Sequence, residues 1–407
     1  MPGKADDVVI VGYARTPFDK FGGVCRDIPS AQLAEWTIRE LLKRTGLGAE
    51  VIDDVNLGMT ILLEAGTQTD VIARQALLRA GLRQETLSNT LDRACCSATT
   101  ALQQSWKNLK LGEAEVSIAV GVDNMSRVPL YLPPKARWEG FRIGNMQLTD
   151  MLNELGIPGF GIVAVDAGEV AVEHGITREM QDEWAVRSHS LYLEALARGY
   201  IADEMFPLEI PQGRNKPPIV FDADAGPRPG TKVEALAKLS TVYGSPTVTG
   251  GNAPGLSTGA AGVIVTTREK AAELGLEVFA TVVKVQSIAI TPREIAVAPA
   301  VAIREALKTT GLTLDDLKVI EINEAFAAMP LVSTKLLGGG DEAKTQALRH
   351  ITNIDGGAVA LGHPVGASGL RITMHAMSIL RRIGGGYGIA AICGGLAQGD
   401  AVVLRVD

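Results

Sequence analysis

Two adjacent cysteines stand where a helix is predicted to begin. Cys95 and Cys96 lie in RACCSATTALQQSWKNLKL, whose apolar residues have helical spacing from Ala98 to Leu109 before Gly112 ends the pattern. Unpaired N–H groups and the positive dipole end of a helix N-terminus favour a thiolate, so a lowered cysteine pKa is expected here. A nucleophile is one interpretation, and two small buried side chains are the other. A metal site is the weaker alternative because no second cysteine pair accompanies them.

Three other segments combine polar side chains with backbone that could face a ligand. His363 lies in NIDGGAVALGHPVGASGLR, where five glycines between positions 356 and 369 indicate close approach of the backbone to a ligand. Cys393 ends an apolar run and meets two glycines in AAICGGLAQG, while Asn323 and Glu324 interrupt a strand-like run in EINEAFA. The glycine-rich stretch GGNAPGLSTGAAG lacks the Gly-Lys-Ser/Thr of a phosphate loop, so a nucleoside triphosphate site is not predicted.

The apolar runs and helical patterns that must position these residues are typical of an α/β protein. Largely β-branched runs predict strands buried on both faces at residues 8–11, 116–122, 319–322 and 389–392. Ser30 is a candidate N-cap of a helix of about four turns that ends before Gly46. Helical patterns between the strands predict a sheet covered by helices.

An internal duplication organises the chain. Residues 38–47 read IRELLKRTGL and residues 303–312 read IREALKTTGL, which are eight identities in ten at an offset of 265. Each stretch is followed by an Asp-Asp pair in an apolar setting. We therefore expect two similar α/β halves, each with its own sheet, and a site at strand ends where the halves meet.

A different composition marks the middle of the chain. Eleven of the 19 prolines lie between residues 127 and 250, which indicates a loop-rich insertion with one clear helix, from about residue 177 to 197. The predicted organisation is an N-terminal half at 1–126, completed by about 250–273, the insertion at 127–249, and a C-terminal half at 274–407. Loops on a rigid scaffold commonly bind ligands, so the insertion is expected to determine substrate specificity.

Composition excludes several classes of function. The 407 residues carry 39 Lys and Arg against 46 Asp and Glu, a net charge of −7, which gives nucleic acid no overall attraction. No apolar run reaches the ~18 residues of a membrane span, and no charged segment leads into an apolar stretch near the N-terminus. A cytoplasmic protein without a membrane partner is therefore expected. Four cysteines in so long a chain do not form a disulfide framework.

Taken together, these segments resemble the thiolases, which are acyl-CoA:acetyl-CoA acyltransferases. The likeness covers nearly the whole chain and includes ARTPFDKFGG, ACCSATTA, GVDNMS, GGNAPG, INEAFA, GGAVALGHPVGASG and the C-x-G of Cys393 to Gly395. The resemblance implies a five-layer αβαβα fold built from two duplicated halves, with a loop domain inserted between them. It also implies acyl-CoA and CoA as substrates and a homodimer or homotetramer. No cluster of ligands in the sequence implies a metal or redox cofactor.

The resemblance implies a role for each candidate residue. Cys95 would be the nucleophile that takes up the acyl group as a thioester, and His363 would be the base that activates it. Cys393 would remove or return the α-proton of acetyl-CoA. Asn323 would hold a water in one oxyanion hole, and the backbone N–H groups of Cys95 and Gly395 would form the other. Such holes are needed because making or breaking a C–C bond beside a thioester generates an enolate.

Two departures from the usual thiolase pattern concern the nucleophile and the acyl pocket. The sequence from Cys95 is Cys-Cys-Ser-Ala where Cys-Gly-Ser-Gly is usual, which makes Cys96 a competitor for the nucleophile. The segment around residues 165–168 lacks the His-Met that borders the short-acyl pocket of acetoacetyl-CoA thiolases. We expect a roomier acyl pocket and a substrate longer than acetoacetyl-CoA.

The contacts to CoA are predicted at three residues. Arg228 matches a position near the CoA nucleotide, and Ala253 and Pro254 lie in GGNAPG, where Pro254 replaces a serine that contacts the pantetheine arm. Proline offers no donor for that contact. Two alternatives stay open, a thiolase-like protein that binds acyl-CoA without turnover and a related condensing 3-ketoacyl synthase. Those synthases usually pair the cysteine with two histidines, or with a histidine and an asparagine, so Cys393 argues against the second.

Overall fold

A computed structural model of the chain describes residues 3–64, 70–141, 143–153, 159–213 and 216–407. The first part contains β1 (Val8–Arg15), β2 (Asp19–Lys20), α1 (Ser30–Thr45), β3 (Asp54–Gly58), α2 (Ile72–Ala80), β4 (Leu87–Leu91), α3 (Ser97–Leu111) and β5 (Val116–Asn124). The middle contains β6 (Leu130–Tyr131), α4 (Ala136–Glu139), β7 (Thr149–Asp150), α5 (Val163–Glu173), α6 (Arg178–Ala197), β8 (Leu208–Ile210), β9 (Ile219–Phe221) and α7 (Val233–Leu236). The remainder contains β10 (Ser257–Thr267), α8 (Arg268–Glu273), β11 (Ala280–Ala289), α9 (Ala298–Thr310), β12 (Leu317–Ile322), α10 (Ala328–Leu337), α11 (Glu342–His350), α12 (Ala358–Leu361), α13 (Ser368–Arg382), β13 (Gly386–Gly394) and β14 (Gln398–Val406).

The four apolar runs predicted as strands lie in β1, β5, β12 and β13. Each of these strands is buried along most of its length, because helices cover both faces of the sheet. The prediction of an α/β fold is therefore confirmed.

The strands of the two halves follow the same order. In the N-terminal half β3, β5, β10 and β1 are neighbours in that order, and in the C-terminal half the order is β12, β13, β14 and β11. In both sets the first pair is parallel and the next two pairs are antiparallel. The duplication in the sequence is thus a duplication of sheet topology.

The two sets of strands are joined rather than separate. β1 and β11 pair antiparallel at Val9 with Thr281 and Ile10 with Ala280, which links both sets into one ten-stranded sheet. Because β1 and β11 are equivalent edge strands of the two halves, their outward backbone groups can satisfy each other. The prediction of a separate sheet in each half is wrong in this respect.

Helices complete a five-layer arrangement. α1 and α2 pack on the outer face of the N-terminal strands, and α9 and α10 pack on the outer face of the C-terminal strands. α3 and α13 pack against each other between the two sets, within a buried apolar cluster. The duplicated segments at 38–47 and 303–312 lie largely in α1 and α9, which occupy equivalent outer positions.

The start of α1 differs from the prediction. The helix ends at Gly46 with a φ of 70°, as expected, but its N-cap is Pro29 and Ser30 is its first residue. Ser30 donates its backbone N–H and its hydroxyl to the Glu64 carboxylate, at 2.9 and 3.1 Å. A carboxylate from a distant segment therefore satisfies the helix start, which no local pattern could indicate.

The insertion holds more helix than the sequence predicts. α6 confirms the expected helix, and the Thr177 hydroxyl caps it by accepting from the Met180 N–H at 3.2 Å. α5 was not predicted, because Gly168 stands in the middle of its valine-rich sequence and both features lower helix propensity. Two shorter helices, α4 and α7, add to it.

Candidate active site

The turn that carries Cys95 comes directly before α3. α3 begins at Ser97 with Cys96 as its N-cap, so the predicted helix start is confirmed. Ala94 has a φ of 49°, a left-handed conformation that costs a non-glycine residue roughly 1–2 kcal/mol. The Ala94 carbonyl accepts hydrogen bonds from Thr60 Oγ1 at 3.2 Å and Ser97 Oγ at 2.6 Å. These bonds hold the residue before Cys95 in a strained conformation.

The electrostatic surroundings of Cys95 contradict one prediction. Cys95 keeps part of its surface open to solvent, but the protein atoms around it desolvate the thiol and raise its pKa well above the ordinary value. Nearby Cys393 and Asp123 raise this pKa further. The expected lowering is wrong because desolvation and acidic neighbours outweigh the helix dipole. Cys95 is therefore a neutral thiol at rest and needs a base before it can attack.

The neighbouring Cys96 points elsewhere and is fully buried. Its Sγ lies 3.8 Å from the carbonyl oxygen of Ile392 in β13. A Cβ placed on Gly394 would lie 2.9 Å from the same sulfur, so a side chain there would disturb the packing. Cys96 fills the junction between α3 and β13, which matches the interpretation of a small buried side chain.

His363 is held in one tautomer by its neighbours. Its Nδ1 lies 2.6 Å from Ser368 Oγ, and that hydroxyl donates to the Pro364 carbonyl at 2.9 Å. A hydroxyl has one proton to donate, so Nδ1 carries the hydrogen and Nε2 keeps its lone pair. Burial and the positive charge of Arg371 lower the pKa of His363 to about 3, so the ring is neutral near pH 7. His363 is thus arranged to accept a proton at Nε2.

Asn323 directly follows β12 and lies beside His363. Its Nδ2 is 3.5 Å from His363 Nε2. Its Oδ1 is buried and has no hydrogen-bond partner within the part of the chain that the structure describes. A buried amide oxygen in this state is suited to accept a hydrogen bond from a water or a ligand. The structure therefore brings two of the predicted site residues together.

Cys393 lies near the end of β13, before a tight turn into β14. Cys393 is fully buried, which raises the pKa of its thiol to about 12. Leu396 and Ala397 in the turn have φ angles of 59° and 54°, both left-handed. A Cβ placed on Gly395 would lie 3.2 Å from the Cβ of Ala94. The turn after Cys393 therefore packs directly against the turn before α3.

Each of these two turns contains a backbone donor that the protein does not use. Across the described ranges, no hydrogen bond of ordinary geometry involves the N–H of Cys95 or the N–H of Gly395. Cys95 and Gly395 are both only partly buried. Two such N–H groups on adjoining turns form the kind of donor set that stabilises an oxyanion.

Asp123 joins the turn of Cys95 to the loop of His363. Its carboxylate accepts the N–H of Thr60 at 3.0 Å and the N–H of Gly366. Thr60 holds the turn before α3, and Gly366 belongs to the loop between His363 and α13. Sequence reasoning missed this role, although an aspartate at the end of a buried apolar strand, in GVDNMS, is an available signal.

Comparison with known proteins covers nearly the whole chain. Residues 8–269 match the family model "Thiolase, N-terminal domain", and residues 276–406 match "Thiolase, C-terminal domain". The chain belongs to the thiolase family. Its five-layer architecture is the thiolase fold that the sequence analysis predicts.

Named thiolases are similar over their full lengths. The acetyl-CoA acetyltransferase of Syntrophomonas wolfei is 38% identical over 98% of this chain and 99% of that protein. A beta-ketoadipyl-CoA thiolase of Acinetobacter baylyi is 37% identical over 97% of this chain and 98% of that protein. The crystal structure of human mitochondrial 3-ketoacyl-CoA thiolase in complex with CoA matches with a TM-score of 0.90, at 33% identity over 98% of both chains.

A cavity of about 210 Å³ adjoins the thiolase site. Its lining includes two predicted CoA contacts, Arg228 and Ala253, together with Ser257. The Ser257 hydroxyl accepts the backbone N–H of His363 at 3.0 Å, so the cavity lies next to the candidate base. Pro254, the third predicted contact, is half-buried and is not among the lining residues that the structure describes.

Glu324 connects the insertion to the thiolase site through hydrogen bonds. Its carboxylate accepts hydrogen bonds from Trp184 Nε1 and Ser188 Oγ in α6, both at 2.8 Å. It also accepts from Asn353 Nδ2 and the Val359 N–H, both at 3.0 Å, in the segment that leads to His363. Sequence analysis singled out this residue without a role, because its partners come from two segments that are distant in the sequence.

Within the described ranges, no group of three or more His, Cys, Asp or Glu side chains is placed to hold a metal ion. The helices of the same ranges include none that is both long and apolar enough to cross a membrane.

Proposed function

We propose that this thiolase is an acetyl-CoA C-acyltransferase that transfers acyl groups between 3-ketoacyl-CoA and CoA through a thioester on Cys95. The observation that carries the proposal is the arrangement of His363, whose Nδ1–H is fixed on Ser368 and whose Nε2 can take a proton. A neutral base with a neutral thiol is what acyl capture by Cys95 requires. Relatives named acetyl-CoA acetyltransferase and 3-ketoacyl-CoA thiolase support the same class of reaction.

The first half of the proposed reaction captures the acyl group. Cys95 gives its proton to Nε2 of His363 while its sulfur attacks the 3-keto carbon of the substrate. The bond between C2 and C3 breaks, so the acyl group stays on Cys95 and the electron pair forms the enolate of acetyl-CoA. Cys393 then protonates C2 of the enolate and acetyl-CoA leaves. The raised pKa of Cys393 supports a thiol that holds its proton until this step.

The second half returns the enzyme to its starting state. CoA gives its thiol proton to the Cys393 thiolate, and its sulfur attacks the thioester carbonyl on Cys95. The Cys95 sulfur leaves and regains its proton from His363, and the shortened acyl-CoA is released. Condensation is the reverse sequence, and either direction gives ping-pong kinetics.

Two sets of donors are proposed to stabilise the charged oxygens. The backbone N–H groups of Cys95 and Gly395 would bind the oxyanion formed at the carbonyl that Cys95 attacks. Asn323, through a water held at its Oδ1, and His363 would bind the enolate oxygen of acetyl-CoA. Each such donor is worth roughly 3 kcal/mol of transition-state stabilisation. The unpaired N–H groups and the unpaired Asn323 Oδ1 support this assignment.

The proposed substrate is a 3-ketoacyl-CoA longer than acetoacetyl-CoA. Residues 165–168 lack the His-Met of short-chain thiolases and lie in α5. A relative whose name specifies beta-ketoadipyl-CoA also supports a longer acyl group. Part of CoA is proposed to occupy the cavity that Arg228 and Ala253 line, next to His363.

The experiment that tests the function is thiolysis of 3-ketoacyl-CoA esters of graded chain length with CoA. Reactions are quenched and analysed by intact-protein and peptide mass spectrometry for an acyl group on the Cys95–Cys96 peptide. We expect turnover and an adduct that persists in Cys96→Ser and disappears in Cys95→Ser. A folded protein with neither turnover nor adduct would support binding without catalysis, and a series in which acetoacetyl-CoA is best would refute the longer substrate.

We further propose a cytoplasmic homodimer or homotetramer. β4 ends the sheet, and within the described ranges it pairs with β3 alone, while Leu87 on it is 68% exposed. An exposed edge strand of this kind favours pairing with another chain. All four cysteines are free thiols, which fits a reducing compartment. Light scattering at several concentrations and cell fractionation test the two statements, and a monomer at every concentration would contradict the first.

A further inference from the structure

Arg93 connects the two turns that carry the unpaired N–H groups of Cys95 and Gly395. It lies two residues before Cys95, and its guanidinium Nη1 contacts both carboxylate oxygens of Asp400, at 3.0 and 3.1 Å. The side chain of Arg93 is 23% exposed and that of Asp400 is 0% exposed. Asp400 belongs to β14, the strand that begins directly after the turn of Gly395. The ion pair therefore joins the N-terminal half to the C-terminal half beside the site.

The guanidinium of Arg93 binds two residues of β14. Its Nε donates to Gln398 Oε1 at 3.0 Å, while its Nη1 donates to Asp400. Gln398 and Asp400 are two residues apart in a strand, so their side chains lie on the same face of β14. The donors of a guanidinium have a fixed planar geometry. Binding both residues therefore fixes the distance and the angle between the turn of Arg93 and β14.

Gln398 extends this contact to the second turn. Its Nε2 lies 3.4 Å from the carbonyl oxygen of Gly395, a long hydrogen bond. Because Oε1 of Gln398 accepts from Arg93, the amide is oriented with its Nε2 toward Gly395. One chain of contacts thus runs from the residue two positions before Cys95 to the residue that holds the other unpaired N–H.

The backbone around Arg93 packs closely on the second turn. A Cβ placed on Gly394 would lie 3.1 Å from the Arg93 carbonyl oxygen, and one placed on Gly395 would lie 3.2 Å from the Ala94 Cβ. Ala94 and Leu396, one in each turn, have left-handed φ angles of 49° and 59°. Such conformations persist only where the surrounding structure fixes them. The contacts of the Arg93 side chain supply part of that constraint.

We propose that Arg93, Gln398 and Asp400 are positioning residues of the acyl-transfer site. They hold the N–H groups of Cys95 and Gly395 at the spacing that one carbonyl oxygen requires. The inference rests on the proposed function, because these two N–H groups are the oxyanion donors of that reaction. Donors stabilise an oxyanion at distances of about 2.7–3.1 Å, and a misplacement of roughly 1 Å can cost about 100-fold in rate.

A purely structural ion pair would behave differently on substitution. Asp400 also accepts a hydrogen bond from Thr99 Oγ1 at 2.5 Å, so its carboxylate keeps a partner when the guanidinium is replaced. Lysine retains the positive charge but presents one ammonium without the planar fork, so it cannot bind Asp400 and Gln398 in the same geometry. Arg93→Lys therefore separates neutralisation of Asp400 from positioning of the two turns.

The test compares Arg93→Lys with Arg382→Lys. Arg382 is a matched control because its side chain is 24% exposed and its Nη2 lies 2.7 Å from Asp355, at the opposite end of α13 from Ser368. In thiolysis of a 3-ketoacyl-CoA that the wild type accepts, Arg93→Lys should lower kcat about 10- to 100-fold and change KM less than about threefold. Isotope exchange between CoA and acyl-CoA should fall similarly, since it needs the same oxyanion. Arg382→Lys should keep both rates within about twofold.

A second measurement reports on the donors directly. Each protein is acylated with a saturated acyl-CoA that carries ¹³C at its carbonyl, and the infrared band of the thioester carbonyl is compared before and after unfolding. Hydrogen bonds from two N–H groups should lower this frequency in the folded wild type and in Arg382→Lys. Most of the lowering should be lost in folded Arg93→Lys. A general loss of stability would not change the band of molecules that remain folded.

Gln398→Met keeps the proposal testable if Arg93→Lys does not fold. It leaves the pair of Arg93 and Asp400 in place and removes the contact to the Gly395 carbonyl, so kcat should fall about three- to tenfold with part of the infrared shift. Circular dichroism confirms the fold of each variant. An unchanged carbonyl band in the folded variants, or a rate loss no larger than that of Arg382→Lys, would overturn the proposal. A wild type that forms no acyl-enzyme would instead refute the proposed function.

Discussion

The two halves of the molecule share a topology but contribute different kinds of groups to the proposed reaction. β5 and β13 are equivalent strands, yet β5 ends near Asp123, which binds backbone N–H groups, while β13 ends near Cys393, which is proposed to move a proton. α3 and α13 are equivalent central helices; Cys95 lies in the turn directly before α3, and Ser368, which supports His363, begins α13. The N-terminal half thus supplies the nucleophile, Cys95, and an anchor, the Asp123 carboxylate that binds backbone N–H groups. The C-terminal half supplies His363 and Cys393, which are proposed to accept and donate protons.

The difference teaches that a duplicated fold need not carry duplicated chemistry. Equivalent strand ends and helix starts bring four residues to one junction: Asp123, Cys393, Cys95 and Ser368. Each of the four has a different role. Substitutions on the two sides of the junction should therefore have different signatures, in catalysis or in stability.

The largest effect is expected at the nucleophile of the N-terminal half. Cys95→Ser should lower turnover on the order of 10⁴-fold, because removing a nucleophile leaves only binding and oxyanion stabilisation. Steady-state thiolysis measures this loss. Cys96→Ser, which changes a fully buried neighbour, should keep turnover within a few-fold. The reverse pattern would move the nucleophile to Cys96.

The next effect separates the two reactions of the C-terminal half. Cys393→Ala should slow C–C bond cleavage by about 10³-fold, because protonation of the enolate loses its acid. Exchange of an acyl group between Cys95 and CoA needs no α-proton and loses only an acceptor for the CoA thiol proton, so it should fall less. Isotope exchange between labelled CoA and acetyl-CoA measures the second reaction. Equal losses in both would contradict a separate role of Cys393 at the α-proton.

A smaller effect is expected at the anchor of the N-terminal half. Asp123→Asn should cost about 1–3 kcal/mol of unfolding free energy, because an acceptor is lost for one of two buried N–H groups. It should also slow turnover, since Gly366 belongs to the loop of His363. Urea unfolding and initial rates measure the two quantities.

Asp54 offers a matched control for this prediction. It is equally buried and accepts hydrogen bonds from Asn56, Asn108 and Ser117, at the start of β3 rather than at the end that faces the junction. Asp54→Asn should lower stability without changing kcat. A loss of kcat in both variants would show that general destabilisation, rather than the anchor, explains the result.

The smallest effect concerns the contact between α13 and the insertion, where His375 contacts Glu204 of the insertion and Asp355 of its own half. Burial disfavours the charged form of His375, but the two carboxylates outweigh burial and raise the pKa of His375. Burial also disfavours the charged form of Glu204, but His375 and Arg15 outweigh burial and lower the pKa of Glu204. A raised histidine pKa stabilises the fold fully below about pH 6.5 and ever less as the pH rises. The lowered Glu204 pKa stabilises it above about pH 4.5 and is lost as the pH falls.

His375→Gln should therefore flatten the alkaline decline of stability. Between pH 6.5 and 9 the wild type should lose up to about 3 kcal/mol more unfolding free energy than the variant does, because the pKa of His375 is raised to about 10 in the folded state and the linked free energy is about 1.4 kcal/mol for each pH unit. Urea unfolding at three pH values measures the slope. Parallel curves for the two proteins would show that His375 is not charged in the folded state.

Much of the fold could be predicted because its signals are local. The runs at 8–11 and 389–392 are apolar on successive residues, which is typical of strands covered on both faces. The repeat at 38–47 and 303–312 predicted two similar halves. The link between β1 and β11 and the Glu64 carboxylate at the start of α1 were missed, because their partners are far apart in sequence.

The candidate residues were also found from motifs, but their states were not. The helix start at Ser97 is a local fact, and it predicted a lowered pKa for Cys95. Desolvation, Cys393 and Asp123 act in the opposite direction, and they come from segments that only folding brings near. Ser368 and Arg371 were likewise invisible as partners of His363, since a sequence does not show which atoms of a helix face a neighbouring loop.

The sequence by itself determined the class, the duplication and the residue types available for chemistry, because apolar spacing and motifs are written in consecutive positions. The tertiary structure decided which cysteine is accessible, which tautomer His363 adopts and which charges set its proton affinity. Those properties depend on burial and on distances between remote segments. Electrostatic interactions are stronger in the low dielectric of the interior, so each of these distances affects the pKa of the groups involved.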